Sequence, residues 1–330
     1  MDQKVMERAE LLIRNRDVVK KCFSMGNGLT YLSGAAIYTM HDREATVEEI
    51  KAARAIIKAK VSVFSEIRGG AVISLVCLAA IQPDPEAYID KALQAYHSLR
   101  SQFFPSPYLP LAAFTMAQNM PLEDFDPLSE KAKALYQLFK QKHAFLINST
   151  DSPMCLLMAM EDRDPDDLLA DIETCYQILK TEFFSKDAVQ SLSQVLALCS
   201  GEPEDKCAKT MALYNGLKDA GIKYGTSYEL ATLGGLALSG EDFDTIIQSM
   251  GEVDQWLSKQ KGFGILSMIS AKHRLMFAGM LVQLSCDQTN LAQTMALNST
   301  ITIVVQEELI LYAIMASVAA SSAAAAGGSH

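Results

Sequence analysis

Between residues 125 and 180 the apolar positions fall twice into the same stripe. Leu128, Ala132, Leu135 and Phe139 are spaced i, i+4, i+7, i+11, and Leu168, Ile172, Cys175 and Leu179 repeat the series. This spacing puts each set on one face of an α-helix and leaves the charged and amide side chains on the other. Both stripes end in related pentapeptides, Tyr136-Gln-Leu-Phe-Lys140 and Tyr176-Gln-Ile-Leu-Lys180. Tyr96-His-Ser-Leu-Arg100 and Tyr214-Asn-Gly-Leu-Lys218 carry the pattern in both directions along the chain, with weaker copies starting at Arg54 and Val253.

The surroundings of each copy recur in the same order. An apolar segment comes first, such as PYLPLAAFTMA or AVQSLSQVLALC, then an acidic or Pro-containing turn, such as PLEDFD, DRDPDD or GEPED. The pentapeptide helix follows, and most copies end in a Phe-bearing link: Phe103-Phe104, Phe145, Phe183-Phe184 and Phe263. Acids at the start of the second helix and Lys or Arg near its end complement the helix dipole. A two-helix unit of this kind cannot bury its own apolar face, so neighbouring units must stack. The pattern predicts an all-α protein, an α-solenoid of about six stacked two-helix repeats of about 40 residues over residues 27–264.

Two segments frame the repeats. The N-terminus, with charge and apolar residues at helical spacing, predicts a helix and lacks the uninterrupted apolar run of a signal peptide. At the other end, residues 287–330 form an apolar segment that runs into an Ala/Ser-rich tail, set apart from a solenoid over 1–286. An open solenoid needs its last face covered, and 301–315 has the apolar density for that capping role. The Ala-rich remainder would pack as a small-residue helix or mediate self-association. Its longest uncharged run, Leu309 to Ala326, is weakly hydrophobic in its second half, so stable membrane insertion is not expected.

Composition narrows the function classes. Of 330 residues, 49% are hydrophobic and 21% charged, the profile of an ordered chain. The net charge of -10 argues against nucleic acid as a partner, since phosphate binding rests on clustered Lys and Arg. A basic peptide or an uncharged ligand fits better. Seven cysteines without a C-x-x-C pair indicate neither a disulfide framework nor a zinc knuckle, which points to a reducing, cytoplasmic setting.

Candidate chemistry is sparse. Asp162, Asp164, Asp166 and Glu173 occupy offsets 1, 3, 5 and 12 of a calcium loop, but Asp167 stands where the loop needs Gly, so helix capping is the better reading. There is no H-E-x-x-H, G-x-S-x-G or phosphate-binding Gly loop, and neither a metal nor a cofactor is expected. Cys22 follows Lys20 and Lys21, a setting that could lower its pKa, against the plainer reading of inert packing. The triplet Lys272-His273-Arg274 opens an apolar helix and could contact an anion, although an exposed polar helix face is the plainer reading. Arg68 and Tyr108, with Phe64, could line a cleft at the other end.

Several stretches together resemble a known family: FSEIRGG at 64–70, SPYLPLAA at 106–113, QSLSQVLAL at 190–198, KQKGFGILS at 259–267 and HRLMFAGML at 273–281. Their order and the Ala/Ser-rich end are similar to the bacterial family catalogued as domain of unknown function 4003, across nearly the whole chain. The resemblance implies no activity, cofactor or catalytic residue. The leading expectation is a non-enzymatic scaffold that binds a protein or peptide along a groove. The alternative is an enzyme or small-molecule receptor with a pocket on the concave face or near the C-terminal helices.

Overall fold

The computed structural model describes residues 3–142, 151–227, 229–263 and 269–285, and these form helices with no strand among them. The first seven helices are α1 (Gln3–Cys22), α2 (Gly28–Met40), α3 (Val47–Lys60), α4 (Val72–Ala80), α5 (Pro85–Gln102), α6 (Leu109–Asn119) and α7 (Phe125–Lys142). They are followed by α8 (Ser152–Met160), α9 (Pro165–Leu179), α10 (Lys186–Leu198), α11 (Pro203–Asp219), α12 (Leu230–Ala237), α13 (Phe243–Ser258) and α14 (Ala271–Ser285). Short 3-10 turns occupy Glu66–Arg68 and Leu122–Asp124.

Odd- and even-numbered helices differ in how they are buried. In α3 only Ile50, Ala53 and Ile57 are buried, one stripe on a polar helix. In α4 every residue from Ile73 to Ala80 is buried, and α6 and α12 are enclosed in the same way. A helix apolar on all sides must be surrounded, whereas an amphipathic one covers it from outside. The even helices are therefore an inner layer and the odd helices an outer one.

Packing joins neighbours within each layer. Inside, α2 packs on α4, α6 on α8, α10 on α12 and α12 on α14; outside, α1 packs on α3, α3 on α5, α5 on α7, α9 on α11 and α11 on α13. The α7–α8 pair meets the next one through polar bridges. Arg163, in the turn after α8, donates to the Ala197 carbonyl (2.7 Å), and Gln194 of α10 donates to Asp151 at the start of α8 (2.8 Å). Outer helices lean toward their successors: Cys22, at the end of α1, lies by Val47 and Arg54 of α3, and Ser98 of α5 lies by Asp126 and Ser129 of α7. This lean changes the pairing expected from sequence. The helix of each pentapeptide packs chiefly on the inner helix after its Phe-bearing link, as α5 does on α6 and α9 on α10, and only slightly on the one before its acidic turn.

Some contacts recur between successive outer helices. Phe103 meets Tyr136 edge-on (5.6 Å between centroids), and Phe183 meets Tyr214 in the same way (5.0 Å). Arg43 and Arg163, in equivalent turns, each reach the carboxyl end of the next inner helix and pair with an acid of the following outer helix, Glu49 and Asp171. Phe139 and Leu179, at matching stripe positions, are both buried. Complete burial of such side chains contributes about 1.5–3 kcal/mol each.

The first and last helices meet. Besides α2 and α3, α1 packs against α13 and α14. The Arg8 guanidinium donates to the Leu284 carbonyl and pairs with Asp42, while Arg16 donates to the Lys261 carbonyl (2.8 Å) and stacks over Phe263. One buried cluster contains Val5, Ala9 and Leu12 of α1 together with Leu257, Phe277 and Leu281 from the last two helices. Among the described residues, seven outer–inner pairs thus close into a ring through α1. From sequence, the cover of this end falls to a C-terminal cap, and α1 packs on α13 and α14 there. Residues 287–330, to which that role was given, lie outside the described residues.

A closed ring has two faces. Successive inner helices run the same way, since a single outer helix returns the chain between them. The acidic turns, such as 41–46, 81–84 and 161–164, lead into the outer helices from one face, although the lean brings the start of α5 to the end of α3, where Lys60 pairs with Glu86 and Asp90. The longer links, such as 23–27, 61–71, 103–108 and 180–185, lie on the other.

Candidate functional site

The leaning of α5 and α7 opens a groove between their outer surfaces, of about 740 Å³. Leu93, Leu122 and Phe125 give it an apolar base, and Gln94, His97, Asp126 and Glu130 stand along it. Leu122 is half exposed there, held by the 3-10 turn that leads into α7. Ser98 Oγ donates to Asp126 Oδ1 (2.6 Å) and shares a hydrogen bond with Ser129 Oγ (2.9 Å). Serine and carboxylate are in direct contact, and His97, one residue before Ser98, is rotated about 100° around the helix. No base stands between them, so the geometry orients Asp126 and does not activate Ser98. What remains is an apolar trough with two carboxylates along one side.

A second hollow, of about 490 Å³, lies on the closure seam by Lys4, Arg8, Leu11, Arg14 and Asp42. Its charges are already engaged: Arg8 pairs with Asp42 and Arg14 with Glu44 of the turn between α2 and α3, and Arg8 also donates across the seam to the Leu284 carbonyl.

The five residues put forward from sequence as ligand contacts stand beside the links, in two separate sectors. The 3-10 turn Glu66–Arg68 packs on α6, and Tyr108, buried, immediately precedes that helix, so Arg68 and Tyr108 are in one neighbourhood. Arg68 donates to the Val61 carbonyl (3.3 Å), and Glu66 accepts from the Tyr96 hydroxyl (2.6 Å). That hydrogen bond holds the Glu66 carboxyl below its usual pKa. Lys272, His273 and Arg274 diverge. Lys272 is exposed, His273 is buried with Nδ1 at 3.3 Å from the Ser270 N–H, and Arg274 pairs with Asp254 at 2.8 Å.

The remaining candidates resolve into structure. Asp164 is the N-cap of α9 and accepts from the Asp166 N–H (2.8 Å), and among the described residues no group of His, Cys, Asp or Glu is placed to hold a metal. Burial raises the Cys22 thiol pKa despite its lysines, and pushes Cys199 up to about 11. Cys175 is held low by a hydrogen bond from the Cys207 thiol, though both are buried.

A family model described as a protein of unknown function, DUF4003, matches residues 17–309. The chain belongs to the DUF4003 family. No curated protein and no solved structure matches it. The DUF4003 match begins inside α1, so Arg8 and Arg16, which seal the ring, stand ahead of it, while the α5–α7 groove lies wholly within it.

Two features of this DUF4003 chain were not anticipated from its sequence. The groove depends on how far neighbouring outer helices diverge, for which Gln94, His97 and Glu130 carry no local signal. The second is Gln190, on α10. Val189, Leu192 and Leu196 turn that helix's other face to the α9–α11 cluster. Gln190 is buried with neither its N–H₂ nor its carbonyl hydrogen-bonded, one turn before Gln194, whose amide donates to Asp151 (2.8 Å).

Proposed function

We propose that the protein is a non-enzymatic scaffold that binds a basic amphipathic peptide segment in the groove between α5 and α7. The observation that carries the reading is the groove's make-up: Leu93, Leu122 and Phe125 beside the carboxylates of Asp126 and Glu130. An amphipathic helix would lay its apolar side on the first group and its Lys or Arg on the second. Repeat proteins present extended surfaces of this kind, and the charges elsewhere are largely engaged in capping and seam contacts. Cytoplasmic residence belongs to the same reading, since the described cysteines are all free thiols.

Selection from a random peptide library tests it. The expected result is enrichment of segments with apolar residues at i and i+3 or i+4 flanked by Lys or Arg, lost in Glu130→Lys and in Leu93→Asp. Enrichment of acidic peptides, or enrichment indifferent to both variants, overturns it.

A second reading, a receptor for a small polar ligand inside the ring, has the Gln190 amide in its favour, since a buried amide without partners costs about 1–3 kcal/mol. Gln190→Leu distinguishes the two. If the amide serves no ligand, the variant is more stable and keeps every binding property. If it serves one, a compound that raises the wild-type Tm fails to raise that of the variant.

A further inference from the structure

The large apolar side chains that the ring leaves in water are not scattered. Of six that are exposed among the described residues, Met25, Val63, Phe64, Phe104 and Phe184 lie in links, and Leu122 lies in the α5–α7 groove. In the paired links the division of labour is sharp: Phe103 is 7% exposed and Phe104 89%, Phe183 5% and Phe184 106%. The first Phe of each pair packs on the next unit's Tyr, so the fold uses it. The second does nothing for the fold.

Charge is segregated in the same direction. The chain carries a net charge of -10, so evenly spread charges would make both faces acidic. Instead, the outer helices end at the link face with exposed lysines, among them Lys20, Lys21, Lys58, Lys218 and Lys259. Of the carboxylates near these ends, Asp17 pairs with Arg16, Glu66 accepts from Tyr96, Glu229 from the Ser227 N–H, and Glu86 and Asp90 pair with Lys60, while Glu48 stands beside Cys22 and Glu182, Asp187 and Asp219 are left toward solvent. The seven inner helices also start at this face, each adding the positive end of its dipole. The lean also brings acids that open the next outer helix to these ends, as Glu86 and Asp90 meet Lys60.

We propose that the link face is a peripheral docking surface for an anionic lipid bilayer, with Phe64, Phe104 and Phe184 entering the headgroup region and the lysines resting on the lipid charges. The arrangement of the apolar tips favours a bilayer over a protein. They stand on separate links, at the ends of outer helices most of which close with exposed lysines. Aromatic rings inserted singly beside Lys suit the membrane interface, where apolar contact and attraction to acidic lipids add. Such binding needs no spanning segment, and among the described residues no helix is long and apolar enough to be one. The proposal is independent of the α5–α7 groove.

Co-sedimentation of the full chain with phosphatidylcholine vesicles, with and without phosphatidylglycerol, tests it. The expected result is binding to the mixed vesicles only, weakening as salt is raised. The triple variant Phe64→Ser, Phe104→Ser, Phe184→Ser should lose roughly tenfold or more in vesicle affinity with an unchanged melting curve, since the three side chains support nothing in the fold. Lys20→Glu with Lys21→Glu and Lys58→Glu should lower the affinity and flatten its salt dependence. Wild-type protein that ignores anionic vesicles, or a serine variant that binds as wild type does, overturns the proposal. So does cross-linking of Phe104 and Phe184 positions to a single protein partner while vesicles are left unbound. Loss of peptide selection in the groove variants with vesicle binding intact would affect only the scaffold reading.

Discussion

The two faces of the ring are built from the ends of the same helices, yet they use their side chains in opposite ways. On the turn face several charged groups serve the fold: Asp84, Asp164 and Asp242 cap α5, α9 and α13, and Arg43 and Arg163 tie their turns to the next inner helix. On the link face the fold takes one Phe of each pair and leaves the other in water. A surface whose polar groups are spent on capping needs no further explanation. One that keeps Phe64, Phe104 and Phe184 exposed beside lysines is not explained by stability, which is why function is sought there.

The sharpest way to break this comparison is within one dipeptide. Phe103→Ala and Phe183→Ala should each cost about 3–5 kcal/mol in denaturant unfolding, and Phe104→Ala and Phe184→Ala less than about 0.5. Equal costs at the two positions would mean that the exposed Phe also supports the fold. Next in size is the buried pair behind the turn between α8 and α9. Lys206 is 1% exposed, with Nζ at 3.4 Å from Asp171 and 3.1 Å from the Cys199 carbonyl. Asp171→Ala should lower stability by about 3 kcal/mol by leaving that ammonium without its counter-charge, whereas Lys206→Met should be nearly neutral.

Smaller effects sharpen the contrast between capping acids and idle ones. Asp84→Ala and Asp242→Ala should each lower stability by about 1 kcal/mol, while Asp166→Asn, whose side chain is not the cap, should change it by less than about 0.5. The smallest expected effect is at the link face, where Tyr96→Phe removes the hydrogen bond to Glu66. The folded carboxyl has a pKa below 4.5, so this bond stabilises the folded state above that pH and ceases to do so as Glu66 is protonated. The difference between Tyr96 and Phe should be about 1 kcal/mol at neutral pH, reduced by partial exposure, and should shrink on titration below 4.5. A difference that grew in acid would contradict the assignment.

Much of this architecture is written locally in the chain. The stripe from Leu128 to Phe139 and its copy from Leu168 to Leu179 predict outer helices whose buried faces the structure shows, because side chains four residues apart meet on one face whatever surrounds the helix. Asp164 was legible as a cap for the same reason, the bond to Asp166 spanning two residues. The candidate sites were less legible. Arg274 and Asp254 are twenty positions apart, and nothing near Arg274 marks its charge as already paired.

The sequence by itself determined the helices, their period, their polar ends and the apolar character of the inner layer, all of which follow from spacing within a few residues. Only the tertiary structure decided that α1 returns to α13 and α14, which Phe of each pair is buried, that Gln190 lies inside without a partner, and that exposed aromatics and lysines gather on one face. Closure depends on the small rotation from each unit to the next summed around seven pairs, and burial depends on what that sum brings together. No short stretch of the chain encodes either quantity, because each is a property of all the interfaces at once.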